Sequence, residues 1–297
     1  MLLNRIINLS IKFFVEENLF SHSSFHSQKA NKFVWINHPK SIVGLNHLDH
    51  KKIFITSCNE EIASSLKLKK FDALRFGKEA ILNLNEEHFL KKSLQDVIRA
   101  GSRHGIIEEI NFSEEAKQRL EEFKLKCTHG RKPQIKYFFN DSFKPNNRLF
   151  VYLRNNEWLA AILVSELDEK FLRSELLLRF KTAPNGVMDA LIFTVFNKFK
   201  EEGFKYWSLG DVPFIVKPNH KISREYLVNF LGRRLRFAYN YSGLFKFKNK
   251  FNPIWSDVYI CSKSKLNLTA FLFLTRKSNI TKLVLSGVLS LLGLFQN

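Results

Sequence analysis

The 297-residue sequence predicts a mixed α/β protein, and three observations carry that expectation. Apolar residues recur at helical spacing over 89–103 and again after Ser113. Two apolar runs, RLFVYLRN and EWLAAILVSEL, are separated by Asn155-Asn156, a pair suited to a tight hairpin turn. A third run, FLRSELLLRF, leads into the loop Ala183-Pro184-Asn185-Gly186 and then into Val187, Leu191, Val195 and Phe199 in helical register.

Taken in chain order, KFVWI, SIVGL and KKIFITS read as short strands separated by Asn, His, Pro and Asp. Glu60 to Leu68 is a short helical pattern, and ALRFGKEAILNL reads as extended. A long helix should follow, with Leu90, Leu94, Val97, Ile98 and Gly101 on one face. Ser113 is a good N-cap for the next helix, with acids in its first turn and Ala116, Leu120 and Phe123 at helical spacing. The helix after Gly186 should stop at Gly203, a natural left-handed terminator, before a strand over Phe204 to Leu209. Further on, FKFKNKF alternates Lys246, Lys248 and Lys250 with phenylalanines, which as a strand puts lysine on one face and phenylalanine on the other. Helices, then an antiparallel meander, then loop–helix–strand is the order of an acetyltransferase-type (GNAT-like) α/β fold.

The composition has 47 Lys and Arg against 28 Asp and Glu, a formal net charge of +19. From Gly203 onward there are 15 basic residues and three acids, so +12 of the total lies in the last third. That asymmetry predicts attraction to polyanions, either nucleic acid or an anionic lipid surface. Cys58, Cys127 and Cys261 are too few and too scattered for a disulfide framework or a zinc site, which suits a reducing cytoplasm. The nine histidines show no HExxH pattern, and no metal or other cofactor is expected. The first residues suggest an amphipathic helix through Leu3, Ile6, Ile7, Ile11, Phe14 and Val15 rather than a signal peptide. After Lys282, fifteen residues carry no charge. As a helix they would span only about 22 Å, short of a hydrocarbon core of roughly 30 Å, so they should lie in the membrane plane or pack on the domain.

Two blocks carry a more specific signal: RFKTAPNGVMDALIFTVFNKFKEEGFKYWSLGDVPF (Arg179 to Phe214) and YNYSGLFKFKNKFNPIW (Tyr239 to Trp255). Together they resemble the C-terminal soluble domain of the phosphatidylglycerol lysyltransferases, the multiple peptide resistance factor or DUF2156-type family. The resemblance implies two GNAT-like units in tandem. Here residues 85–265 would be the complete transferase unit, 1–84 a truncated or degenerate first unit, and 266–297 an apolar tail able to touch a membrane. It also implies an aminoacyltransferase that moves an aminoacyl group from aminoacyl-tRNA to a lipid such as phosphatidylglycerol. Its partners would be aminoacyl-tRNA and an anionic phospholipid surface, at the inner face of the membrane. Recruitment by another membrane protein is left open. The alternatives are an acyltransferase using acyl-CoA or a carrier protein, and a non-catalytic membrane- or RNA-binding homologue.

The resemblance also assigns candidate residues. Arg179, at the end of its strand, matches a family arginine and could hold a phosphate or carbonyl, or form an ordinary salt bridge. Asn185 and Gly186 open the family's NGVMD stretch. Asn185 can cap the helix while first-turn N–H groups face an anion or oxyanion. Asp189 could orient the donor's amino group, act as a base or offset the helix dipole. Arg75, Glu79, Tyr239, Lys246, Lys248 and Lys250 complete the set as substrate-binding candidates. Two positions depart from the pattern: Leu176 stands where the family has an acid, and Lys78 replaces another, so the donor need not be lysyl and an uncharged group such as alanyl fits better.

Overall fold

The structure is a computed structural model and describes residues 24–28, 33–39, 52–127, 132, 133, 135, 136, 138, 142–216 and 224–291. The expected amphipathic start and the SIVGL run lie outside the described residues.

Ten strands form one sheet: β1 (Ser24–Gln28), β2 (Phe33–Asn37), β3 (Lys52–Cys58), β4 (Asp72–Asn83), β5 (Ile106–Ile110), β6 (Asn147–Arg154), β7 (Glu157–Asp168), β8 (Phe171–Arg179), β9 (Tyr206–Pro213) and β10 (Ile254–Ser262). Their spatial order is β1-β2-β3-β10-β4-β9-β8-β7-β6-β5. Hydrogen bonding runs unbroken across residue 84, because β4 pairs with β10 on one side and β9 on the other. All neighbours are antiparallel except β2–β3 and β8–β9. The β8–β9 pairing holds only from Phe171–Arg173 against Tyr206–Ser208. Beyond Arg173 and Ser208 no β8–β9 partners are paired, so the two strands part there.

Helices cover both faces. α1 (Glu60–Leu68) starts at Asn59, whose side chain accepts the Ile62 N–H at 2.8 Å. It packs Ala63 and Leu66 onto Val34, Ile36, Ile53 and Ile55. α2 (Lys92–Gly101) and α4 (Val187–Glu201) bury Leu94, Ile98, Val187, Leu191, Val195 and Phe199 against Phe150, Ile162 and Trp207 in the largest core. α3 (Glu114–Lys126), capped by Ser113 as expected, places Ala116, Leu120 and Phe123 against the other side of β6 and β7. The last helices are α5 (Arg224–Arg234), α6 (Tyr241–Asn249), α7 (Leu268–Lys277) and α8 (Ile280–Leu291). α5 and α7 send Val228 and Leu274 into a fourth cluster with Trp35, Phe54 and Ile260. The Asn155-Asn156 hairpin forms as expected, with both residues left-handed (φ 51° and 64°).

Three local expectations are corrected. Residues 241–249 form a helix, not a Lys–Phe strand, because Asn240 caps it by accepting the Gly243 N–H at 2.9 Å and because burying one lysine requires helical spacing. On a strand, Lys246 and Lys248 would share a face; on the helix Lys248 is buried and Lys246 exposed. Asn185 does not cap α4: Gly186 holds that position with φ 86°, and no side chain caps the helix. Leu90 precedes α2 and is 69% exposed, so the apolar face of that helix begins at Leu94.

Gly186 and Gly101 are there because α2 and α4 touch backbone to backbone. A Cβ on Gly101 would stand 2.1 Å from the Gly186 carbonyl oxygen, and one on Gly186 would meet the Val97 oxygen at 2.3 Å. Gly101→Ala should therefore destabilise the protein by about 1–3 kcal/mol, although alanine is the better helix former. Urea unfolding measures this, and a stabilised variant would show that the helices can separate freely.

Candidate active site

The site is built around a buried arginine that the apolar pattern of β8 does not announce. Arg173 is 1% exposed. Its guanidinium contacts Glu79 on β4 through Nη1 and Asp211 on β9 through Nη2, the latter at 3.2 Å. Ser208 donates its hydroxyl to Glu79 Oε1 at 2.5 Å, and Ser57 donates to Asp211 Oδ2 at 2.5 Å. Glu175, also buried, adds a third carboxylate whose charge acts on Arg173. Lys248 reaches in from α6 and donates to the carbonyl oxygens of Gly210 and Asp211 at 2.9 and 3.1 Å. Gly210 is left-handed (φ 88°), which turns the backbone of β9 at this point.

Burial and pairing set the charges. Burial opposes ionisation of Asp211, but Arg173 beside it and the Ser57 hydrogen bond hold its carboxyl below the usual range. Glu79 goes the other way: burial pushes it up and Arg173 offsets this only in part. Arg173 remains firmly protonated, held by both carboxylates despite burial. Burial drives Lys248 down to about 7, with Asp211 opposing the shift. His38 is kept neutral by burial and by Arg173. Burial, with the Asp211 charge adding to it, pushes the Tyr239 hydroxyl up. Both His38 and Ser57 have left-handed backbones (φ 52° and 57°), a strained geometry in non-glycine residues.

Asp211, Ser57 and Tyr239 stand on the wall of a cleft of about 790 Å³, its open mouth included. Apart from Thr56, the rest of the wall is apolar. Phe76, Val212, Val258 and Ile260 come from the sheet, Phe214 from just past β9, Leu235 and Ala238 from the turn after α5, and Ile280, Leu283 and Val284 from α8. A carboxylate held ionised on the wall of a largely apolar cleft can orient a hydroxyl or amine and accept its hydrogen bond.

The structure therefore brings together three of the residues singled out from the sequence, Glu79, Tyr239 and Lys248, with Arg173, Asp211, Ser208, Ser57 and His38, which were not. The others lie around this centre. Lys250 forms an ion pair with the buried Asp189 and lies 4.6 Å from the Phe247 ring centroid. Thus Lys248 of α6 reaches β9, and Lys250, just past the helix, reaches the start of α4. Arg75 and Lys78 both pair with Asp257, at 3.2 and 2.8 Å, so Lys78 is engaged on β10. Arg179 is partly exposed and opposite Ala160 on β7, and Asn185, Lys246 are exposed. Gly186 is buried against Gly101. Among the described residues there is no cluster of His, Cys, Asp and Glu able to hold a metal ion. A sequence signal for Arg173 did exist: a cation inside an apolar strand needs acidic partners.

The profile of a family described as "Phosphatidylglycerol lysyltransferase, C-terminal" matches residues 44–262, most of the chain and all of the strands around the cleft from β3 to β10. The chain belongs to that family. A stretch of 104 residues, 34% of the chain, is 32% identical to the phosphatidylglycerol lysyltransferase of Bacillus subtilis (strain 168). It spans 12% of that relative's length. Two solved structures share the fold. L-PGS from Bacillus licheniformis superposes with a TM-score of 0.68 over 90% of this chain and 95% of its own, at 18% identity. The DUF2156 C-terminal domain from Agrobacterium fabrum gives 0.63 over 84% and 83%, at 17% identity. Among the described residues no helix is long and apolar enough to cross a membrane.

Proposed function

We propose that this chain transfers an aminoacyl group from an aminoacyl-tRNA to a hydroxyl of an anionic phospholipid such as phosphatidylglycerol, working at the inner face of the membrane. The observation that carries this reading is the apolar cleft with Asp211, Ser57 and Tyr239 on its wall, backed by the Arg173 network. An apolar wall suits acyl chains, and the polar group of Asp211, Ser57 and Tyr239 on it suits the headgroup hydroxyl that must attack. The reaction joins that hydroxyl oxygen to the aminoacyl carbonyl carbon, breaks the ester to the tRNA ribose, and passes the proton to the leaving ribose oxygen. Asp211 is placed to orient the attacking hydroxyl. In this reading Lys248, whose proton is exchangeable near neutral pH and which donates to the Asp211 carbonyl oxygen, carries the proton. The tRNA end presents phosphates, and Lys246 on α6 with Lys250 just after it suits their approach. We read the first 84 residues as a degenerate partner of the transferase unit, because their parallel pair β2–β3 repeats the parallel pairing of β8–β9.

The test is incubation of the full chain with labelled aminoacyl-tRNAs, alanyl and lysyl among them, and phosphatidylglycerol vesicles. Label should enter the lipid phase for at least one amino acid; none for any would refute the reading. Asp189→Asn should lower kcat/KM about tenfold, ~1.4 kcal/mol of transition-state stabilisation, by freeing Lys250 from its place on α4. Its thermal unfolding should move little, because Lys250 is 39% exposed and such a pair contributes only about 1 kcal/mol. Unchanged kinetics would remove Asp189 and Lys250 from the reaction.

A further inference from the structure

Three helices near the end of the chain carry large apolar residues on the faces that should be polar. On α5 the outward positions are Tyr226, Leu227, Phe230, Arg233 and Arg234, spaced three or four apart. On α7 they are Thr269, Leu272 and Arg276, and on α8 Thr281, Lys282, Leu285 and Val288. Leu272 and Leu285 are 61% and 59% exposed, more than a residue of that type in a packed face. The inner faces of these helices converge. Val228 of α5 and Leu274 of α7 share one cluster, and Gly287 of α8 sits 3.0 Å (for a Cβ built there) from the ring of Phe237, just after α5. Their outer faces therefore turn away from the same apolar layer. Phe237 is itself exposed, and the guanidinium of Arg234 lies 5.1 Å from the Phe230 ring centroid.

Charge decides what such a face meets. Arg233, Arg234, Arg236, Arg276 and Lys282 are exposed on or beside it. No acidic residue follows Asp257, and the acids near α5 are Glu225 within it and Asp72, which Arg224 engages at 2.6 Å. We propose that the outer faces of α5, α7 and α8 form a docking surface for an anionic bilayer. The apolar side chains enter the headgroup–acyl boundary and the arginines meet lipid phosphates. This rests on the lipid-acceptor reading, because Leu235, Ala238, Ile280, Leu283 and Val284 from the same segment form one wall of the cleft, so docking sets its mouth against the lipid. Helices with apolar centres and basic flanks lie in the interface plane, and their attachment weakens as salt screens the charge.

The test uses the full chain with vesicles of phosphatidylcholine alone or with phosphatidylglycerol, read by co-sedimentation. The variants are Leu272→Glu combined with Leu285→Glu, and Arg233→Glu combined with Arg234→Glu, each first shown to unfold at the wild-type temperature. None of these residues lines the cleft. The wild type should bind the anionic vesicles at least about tenfold better than the neutral ones, and each pair of substitutions should abolish that preference. Transfer to vesicular phosphatidylglycerol should fall in step, while transfer to a dispersed short-chain phosphatidylglycerol stays at the wild-type rate. Folded variants that bind like the wild type overturn the proposal, as does a wild-type dimer that the variants split into monomers, since a second copy would then occupy the face. Lost vesicle binding without transfer to either acceptor by the wild type supports the docking surface and sinks the acceptor reading instead.

Discussion

Arg173→Met should cost about 3–5 kcal/mol of stability at neutral pH, the range expected when one partner of a buried ion pair is removed. The methionine fills the volume but leaves Glu79 and Asp211 buried with no guanidinium between them. Ser208 and Ser57 still donate to them, and Lys248 acts on both only through its charge and one carbonyl contact. The loss should depend on pH in a definite direction. In the wild type Asp211 is held below its ordinary value, so its contribution is present above the unfolded carboxylate value of about 3.9 and vanishes as pH falls through the lower folded value. In the variant the stranded carboxyls bind protons more readily than in the unfolded chain, so acid relieves their cost. The deficit should be largest at pH 7 and above and should shrink towards pH 4–5. Arg173→Lys keeps one charge but cannot bridge both acids, and should fall between. Urea unfolding of the three proteins at two pH values measures this. A deficit under about 1 kcal/mol, or one independent of pH, would mean the arginine is not the keystone of the network.

The parts of this architecture legible in the sequence are those whose causes are local. The hairpin at Asn155-Asn156, the Ser113 cap and the apolar spacing of α4 each depend on a few neighbouring residues, and each formed as expected. The α6 region misled because period-two alternation over seven residues was read as a strand. What settles the helix is Asn240 at its start and two carbonyls on β9 about 38 residues away that Lys248 must reach. The same distance in sequence hid half of the site. Glu79, Tyr239, Lys248 and Asp211 lie in stretches that resemble the family, but Arg173 does not, and only the pairing of β8 with β9 sets it beside Asp211. Ser57 and His38 were hidden for a further reason: their left-handed backbones follow from the packing of β2 and β3 beside β10, which no local pattern encodes.

Lys248→Met should flatten the pH dependence of stability between about 7 and 10. Lys248 titrates near 7 in the folded protein, against about 10.4 for an unfolded lysine. Across that window the unfolded chain binds the proton and the folded one does not, so wild-type stability rises with pH. Below pH 7 both states are protonated and the cost of burying the ammonium is constant. Methionine carries no proton, so the variant lacks this rise, and the two stability curves should converge or cross as pH increases. Other groups that titrate in the window are common to both proteins and cancel in the difference. That difference in slope should approach ~1.4 kcal/mol per pH unit near pH 8–9, the limit for a single proton. Parallel curves would place the folded value of Lys248 near that of an ordinary lysine. The same proton separates two roles in the reaction. If Lys248 only braces the Gly210 and Asp211 carbonyls, Lys248→Arg keeps those bonds and retains the wild-type pH–rate profile. If it carries the proton, the arginine variant folds, binds substrates and loses the change of rate through pH 7, because a guanidinium does not titrate there. The proposed reaction requires the second result.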